Sequence, residues 1–231
     1  MGRCRHCQAP SRRKNGLFFL QQSPTFWQIC YTINGDKVKK IIVASTNPGK
    51  IAEYRQLLAD CGYEVCSLLD YPLNREIKER GMTFFANASL KAEAVAARHG
   101  LPVIADDSGL EVEALGGKPG VRSKRYSRSG SDDDNNHLLL KKMQKIANRR
   151  ARFVCCIVYY DPTTGFKAFT GTLDGEIARE LKYGNGFGYD PLFFIPSLGK
   201  WMSELTTAEK NQISHRAVAF QRLRQALELN R

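Results

Sequence analysis

From residue 38 onward, short β-branched runs alternate with stretches of helical period, and at one place two strand-like runs follow each other across a turn. That pattern constrains the fold more than any single motif, because alternation lays helices on a sheet and a direct hairpin adds an antiparallel pair. VKKIIVAST at 38–46 reads as a strand, NPGK as a turn, and Ile51, Tyr54, Leu57 and Leu58 recur at helical spacing before Gly62 ends the helix. YEVCSLL at 63–69 is a second strand, and a helix opens near Thr83 and is closed by Gly100. LPVIA at 101–105 reads as a short buried strand, broken by the polar turn DDSG. A Gly-rich connection leads to a helix over 135–147 carrying Leu138, Leu139 and Met143. ARFVCCIVYY and GFKAFTGTLDG flank DPTTG as a hairpin, and SHRAVAFQRLRQAL is a final helix capped by Ser214, with Val218, Phe220, Leu223 and Leu227 inward. The expected fold class is α/β, a mixed β-sheet flanked by helices.

A chain of 231 residues can bury one core or one two-lobed domain. No apolar run approaches the roughly 20 residues that span a bilayer, and NGLFFLQQSPTFW is too short and polar for a signal peptide, so a soluble cytoplasmic protein without a membrane partner is expected. The net charge is +12, but residues 1–40 hold eight Lys and Arg against Asp36 alone. The remainder carries a mild surplus that suits an anionic small molecule as well as a polynucleotide. Seven cysteines without a framework point to reduced thiols, and the lone CxxC of Cys4 and Cys7 around His6 lacks a second ligand pair at zinc spacing. Residues 1–37 are basic and aperiodic, expected to be a disordered extension or a product of a start upstream of the true one; Val38 would then be a GTG start, and 38–231 the functional domain.

Chemistry concentrates in four places. Asp106 and Asp107 follow the 101–105 strand, where α/β proteins gather functional groups, and adjacent strand residues face opposite ways, giving the two acids different jobs. Ser45, Thr46, Asn47, Pro48, Gly49 and Lys50 join a strand to a helix start, whose free amides and the lysine charge suit a phosphate. Glu79 stands near the mouth of the Thr83 helix, with Asn87 and Lys91 sharing a face of it. GNGFGYDP at 184–191 brings backbone close to something and leaves Phe187 and Tyr189 exposed for stacking, while Lys210, His215 and Arg216 offer donors to a purine carbonyl or a phosphate.

Taken in order, STNPGK, GMTFFANASLKA, IADDSGLEVEALGGKPGVRSKRYS, GFGYDPLFF, the ELT..EK segment and ISHR resemble the dITP/XTP pyrophosphatases, also called inosine triphosphate pyrophosphatases. The resemblance runs from about Val38 to the C-terminus. It implies hydrolysis of ITP, dITP and XTP to the monophosphate and pyrophosphate, with Mg²⁺, in a homodimer of two-lobed subunits whose active cleft lies between the lobes. Carried over by motif, Asp107 is the proton acceptor and a Mg²⁺ ligand, and Glu79 is the second metal carboxylate; Asp106 is expected to support Asp107, and the sequence leaves open which of the two coupled acids takes the proton. Ser45, Thr46, Asn47, Pro48, Gly49, Lys50, Lys91, Ser108, Phe187, Gly188, Tyr189, Asp190, Lys210, His215 and Arg216 would bind substrate. Tyr183, Gly184 and Asn185 depart from the family, which often has an acid or proline before GFGYDP. The rival enzyme is a Maf-type nucleotide pyrophosphatase, disfavoured by ADDSG and SHR. A nucleic-acid-binding protein built on the basic amino end is the rival of another class, distinguished by steep salt dependence; no nucleic-acid partner is expected.

Overall fold

The computed structural model describes residues 31–33 and 36–228. Cys4, Cys7, Cys30 and most of the basic extension lie outside the described residues. The elements are β1 (Tyr31–Ile33), β2 (Asp36–Val43), α1 (Pro48–Leu57), β3 (Tyr63–Ser67), α2 (Phe84–His99), β4 (Val103–Val112), α3 (Asp132–Met143), β5 (Arg150–Asp161), β6 (Gly165–Ile177), β7 (Phe193–Ile195), β8 (Lys200–Trp201), α4 (Thr207–Ile213) and α5 (His215–Glu228). They form one eight-stranded mixed sheet in the order β1-β2-β4-β5-β6-β7-β8, with β3 paired to β2. The β2 pairings with β3 and β4 are parallel, and those from β4 to β8 are antiparallel. Alternation and the 150–177 hairpin thus appear as expected. Regular structure begins before Val38, since β1 pairs with β2 from Asp36 onward. The overlooked signal is Asn34-Gly35, the dipeptide favoured between hairpin strands.

The largest correction concerns β4. The strand does not stop at Ala105; it runs through DDSG to Val112, with Asp106 opposite Ile157, Asp107 opposite Cys156 and Ser108 opposite Cys155. Gly109 is a glycine of close approach rather than of a turn: a Cβ there would stand 2.4 Å from the Gly120 carbonyl and 2.6 Å from Ser123 Oγ. The 3₁₀ segment Gly120–Arg125 is therefore laid directly on the strand, and the Leu110 amide donates to Ser123 Oγ at 2.9 Å. Helix α3 likewise begins at Asp132, earlier than the apolar period suggests, with Ser131 as its cap.

Length gives β4 its role. Ile104 packs with Tyr54, Leu58, Phe220 and Leu223 on one sheet face, and Val103 and Ala105 with Ala88, Ala92 and Val95 of α2 on the other. Leu110 and Val112 belong to a separate core with Leu139, Met143, Leu192 and Phe193. Each core is closed by burial of apolar surface, about 25 cal/mol per Å², and the four residues 106–109 cross between them.

A second close approach sets the other wall. A Cβ on Gly171 of β6 would lie 2.2 Å from the His215 carbonyl and 2.4 Å from the Ala219 amide, so only glycine lets the first turn of α5 rest on the sheet. Gly171→Ala and Gly109→Ala should each lower stability by about 1–3 kcal/mol through overpacking. Thermal unfolding followed by circular dichroism checks this, and an unchanged midpoint would contradict the packing argument.

Candidate active site

Between the two cores lies a cleft of about 570 Å³. Because successive strand residues face opposite ways, β4 sends its two carboxylates to opposite sides of the sheet.

Asp107 faces α2 and lines the cleft. Asn87 Nδ2 donates to its Oδ2 at 2.9 Å, and Lys91 Nζ stands 3.9 Å from its Oδ1. The same ammonium lies 3.0 Å from Glu79 Oε1 and donates to the Asp106 carbonyl at 2.6 Å. Burial pushes the Asp107 carboxyl above its usual range, and Lys91 and Asn87 offset only part of that push. Asn87 and Lys91 reach the same place because they are four residues apart on α2, whose start is fixed by the Thr83 cap.

Asp106 lies behind the cleft wall, 2% exposed, and does not line the cleft. Its Oδ1 accepts from Lys50 Nζ at 2.9 Å; its Oδ2 accepts from Ser108 Oγ at 2.8 Å and from Arg216 Nη2 and Nε at 2.9 and 3.1 Å. Burial alone would raise this carboxyl, but the charges of Lys50, Arg216 and Lys91 outweigh it and hold the group well below the carboxylate range. Four of the five Arg216 N–H groups are thereby directed at protein: Nη1 bonds Glu53 Oε2, Nη2 also reaches Ser108 Oγ at 3.2 Å, and one Nη1 hydrogen remains for the cleft that Arg216 lines.

Glu53 was missed by sequence reasoning. It is 3% exposed and lies 3.2 Å from Lys210 Nζ, which bonds Asp190 Oδ2 at 2.8 Å. Asp190–Lys210–Glu53–Arg216–Asp106–Lys50 is therefore a buried chain of alternating charge. Glu53 lies three residues after Lys50 on α1, a spacing that puts both on one face. Lys124 and Asp132 also line the cleft and pair at 2.8 Å; Asp132 and Asn136 hold the Gly188 amide and carbonyl at 2.8 Å each.

Three expectations change. The start of α1 is self-capped: Asn47 Oδ1 accepts from the Gly49 and Lys50 amides at 2.9 and 3.2 Å, and Ser45 Oγ from the Asn47 amide at 3.1 Å, so these donors are not free for phosphate. Ser45, Thr46, Asn47 and Lys50 line the cleft, whereas Pro48 and Gly49 line a neighbouring pocket beyond Phe187. Tyr189 is not exposed for stacking; it is 5% exposed, packs in the second core, and its hydroxyl donates to the Ser123 carbonyl at 2.8 Å. Its neighbour Phe187 does face the cleft, under Lys210 Nζ at 5.0 Å, with its amide bonded to Asp190 Oδ2 at 2.8 Å. Ser108, Gly188, Asp190, Lys210 and His215 line the cleft, and Tyr189, though buried, also forms part of its wall. Burial and the adjacent Arg216 charge push the His215 ring well below the usual histidine range, leaving it neutral, stacked on Phe153 at 4.8 Å.

Charge within the cleft is balanced. Lys50, Arg75, Lys91, Lys124, Lys210 and Arg216 are matched by Glu53, Glu76, Glu79, Asp107, Asp132 and Asp190. A polyphosphate carrying about four negative charges would meet no surplus of positive charge there. No cluster of three or more metal-ligating side chains occurs among the described residues. Asp107 and Glu79, two hard carboxylates bracketing one ammonium, fit a small divalent cation that completes its shell with substrate oxygens and water.

One mixed sheet flanked by helices, with a cleft lined by charged side chains, makes this an α/β protein with an enzyme-like site. The Ham1 family model matches residues 41–226, and the chain belongs to that family. It is 50% identical over 193 residues to the dITP/XTP pyrophosphatase of Exiguobacterium sibiricum, spanning 81% of this chain and 96% of the relative. The Bacillus subtilis dITP/XTP pyrophosphatase is 44% identical over 83% of this chain and 98% of its own length. The solved Staphylococcus aureus Ham1 protein superposes with TM-score 0.75 at 44% identity, covering 84% of this chain and all of that one.

Replacing Asp106 by Asn leaves Arg216 and Lys50 facing an uncharged amide, and removing one partner of a buried pair costs about 3–5 kcal/mol. Because the folded carboxyl is held below its ordinary value of 3.8, its contribution is present above that value and lost as pH falls through the folded one. Urea unfolding should show a large gap between wild type and Asp106→Asn at neutral pH that narrows in strong acid.

Proposed function

We propose that this chain hydrolyses the triphosphates of irregular purine nucleosides, ITP, dITP and XTP, to the monophosphate and pyrophosphate, with Mg²⁺. The relatives' names give the substrate class, and the observation that carries the chemistry is the Asp107, Glu79 and Lys91 group on the wall of a charge-balanced cleft. Asp107 and Glu79 would hold the Mg²⁺, which supplies positive charge to the phosphate oxygens.

Asp107 accepts a proton from the attacking water. Its Oδ2 accepts from Asn87 Nδ2, its Oδ1 stands 3.9 Å from Lys91 Nζ, and burial raises the carboxyl before any metal binds. The water oxygen bonds to the α-phosphorus as the bond to the bridging oxygen breaks, and pyrophosphate departs with the electron pair. Lys91 faces the developing charge from between the two acids. Asp106 touches no reacting atom in this reading; it positions Arg216, Lys50 and Ser108.

Phe187 stacks on the base. The remaining Arg216 N–H and the neutral His215 ring read the O6 edge, while Asp190 holds the Phe187 amide and Lys210. A 6-amino group would leave that donor unpaired, a defect able to discriminate by about 10⁴. A homodimer fits the exposed apolar side chains Met82, Phe85, Leu90 and Phe166, the two phenyl rings 6.2 Å apart. Cys66, Cys155 and Cys156 are free thiols, as in a cytoplasmic setting.

Asp107→Asn should lower kcat about 10²–10⁴-fold with an unchanged melting temperature. In the metal-free protein the Asp107 carboxyl should titrate above the ordinary carboxyl range, and Mg²⁺ held by it should move that titration down, as carboxyl-carbon NMR with and without Mg²⁺ would report. A pyrophosphate-release screen should favour ITP and XTP over dUTP and the standard NTPs, with activity lost on chelation and restored by Mg²⁺. Preference for dUTP, or near-normal turnover by Asp107→Asn, would overturn the reading.

A further inference from the structure

On the far part of α3 from the Gly188 contacts is a second cavity, about 380 Å³, that shares no residue with the cleft. Six residues line it: His137, Leu140, Lys141, Gln144, Arg149 and Arg179. The first four recur at helical spacing along one face of α3, and none of the six is acidic.

Arg149 distinguishes this cavity from an ordinary basic surface. It is 9% exposed, and no carboxylate lies within 4.0 Å of it among the described residues. Its guanidinium is held only by carbonyls: Nε donates to Ile177 at 2.7 Å, Nη1 to Met143 at 2.6 Å, closing the end of α3, and Nη2 to Ala178 at 2.5 Å. Three of its five N–H groups are used, and two remain. Carbonyl dipoles fix the side chain, but no carboxylate pairs with it directly and the Glu176 charge acts on it only from beyond 4.0 Å, whereas buried charges are ordinarily paired. Arg179, just past the end of β6, and Lys141 add positive charge on the open side. Burial, then the Arg179 charge, lowers the Arg149 pKa, the Glu176 charge offsets this only in part, and a directly bound anion would oppose it further.

We propose that this cavity binds an oxyanion of the phosphate class, held by Arg149, Arg179 and Lys141. A planar, pre-positioned guanidinium matches tetrahedral oxyanion edges, and the space accommodates phosphate or pyrophosphate. The site is independent of the catalytic reading, since it uses no residue of the cleft.

The test is NMR of the full chain, following arginine Nε–H signals during titration with inorganic phosphate, and separately with inorganic pyrophosphate. The Arg149 and Arg179 signals should shift in a saturable way with at least one of the two anions. Arg179→Glu and Lys141→Glu, both on the exposed rim, should each weaken that binding by about tenfold or more while hydrolysis by the cleft is unchanged. Shifts confined to cleft residues, or binding at Arg149 undiminished in both variants, would overturn the proposal.

Discussion

Arg216 is the side chain on which the site's geometry depends. It is 2% exposed and ties α1 to β4 through Glu53 and Asp106. Buried ion pairs are weak contributors to stability, because desolvating both charges offsets most of their attraction. The consequence of this one is positional. With Glu53 also engaging Lys210, and Lys210 engaging Asp190, the start of α5, the Lys50 face of α1 and the Phe187 loop are fixed relative to one strand. Gly171 makes this possible by letting the α5 backbone rest directly on the sheet.

That strand, β4, divides labour between adjacent acids by pleat alone. Asp106 and Asp107 have the same chemistry and opposite environments: one faces three cations and is held strongly ionised, the other faces a single lysine and is raised by burial. Two carboxylates pushed apart in acidity at neighbouring positions are suited to different tasks, Asp106 to anchoring and Asp107 to the proton-accepting role proposed for it. A turn at DDSG would lack this precision; a continuous ladder with β5 supplies it.

Much of this was legible in the sequence. Alternating periods gave the mixed sheet, and the motif order gave the residues brought to the cleft. Where local pattern and structure differ, the deciding contacts are mostly between residues distant in sequence. DDSG is strand because Gly109 lies under the Gly120 carbonyl, a tertiary contact invisible in local pattern. Tyr189 is core because Ser123, distant in sequence, accepts its hydroxyl. The Gly49 and Lys50 amides are occupied because Asn47 caps them, a signal that was present in the sequence and outweighed by the lure of a phosphate loop. Glu53 hid among apolar helix positions, since only its distant partners Lys210 and Arg216 explain a buried carboxylate there.

The net charge of +12 suggests a positive cleft, yet the cleft is balanced. Lys50, Lys91, Lys124, Lys210 and Arg216 are each paired with a carboxylate, which keeps them in place before any ligand arrives and removes the reorganisation that a loose lysine would require. The same pairing leaves little positive charge for a triphosphate. Strong ionic positioning and strong phosphate attraction therefore cannot both come from these side chains. In the proposed reading a divalent cation arriving with the substrate would resolve the conflict: it would bring the missing charge to Asp107 and Glu79, the pair with only one ammonium between them, and leave the Arg216 anchor undisturbed.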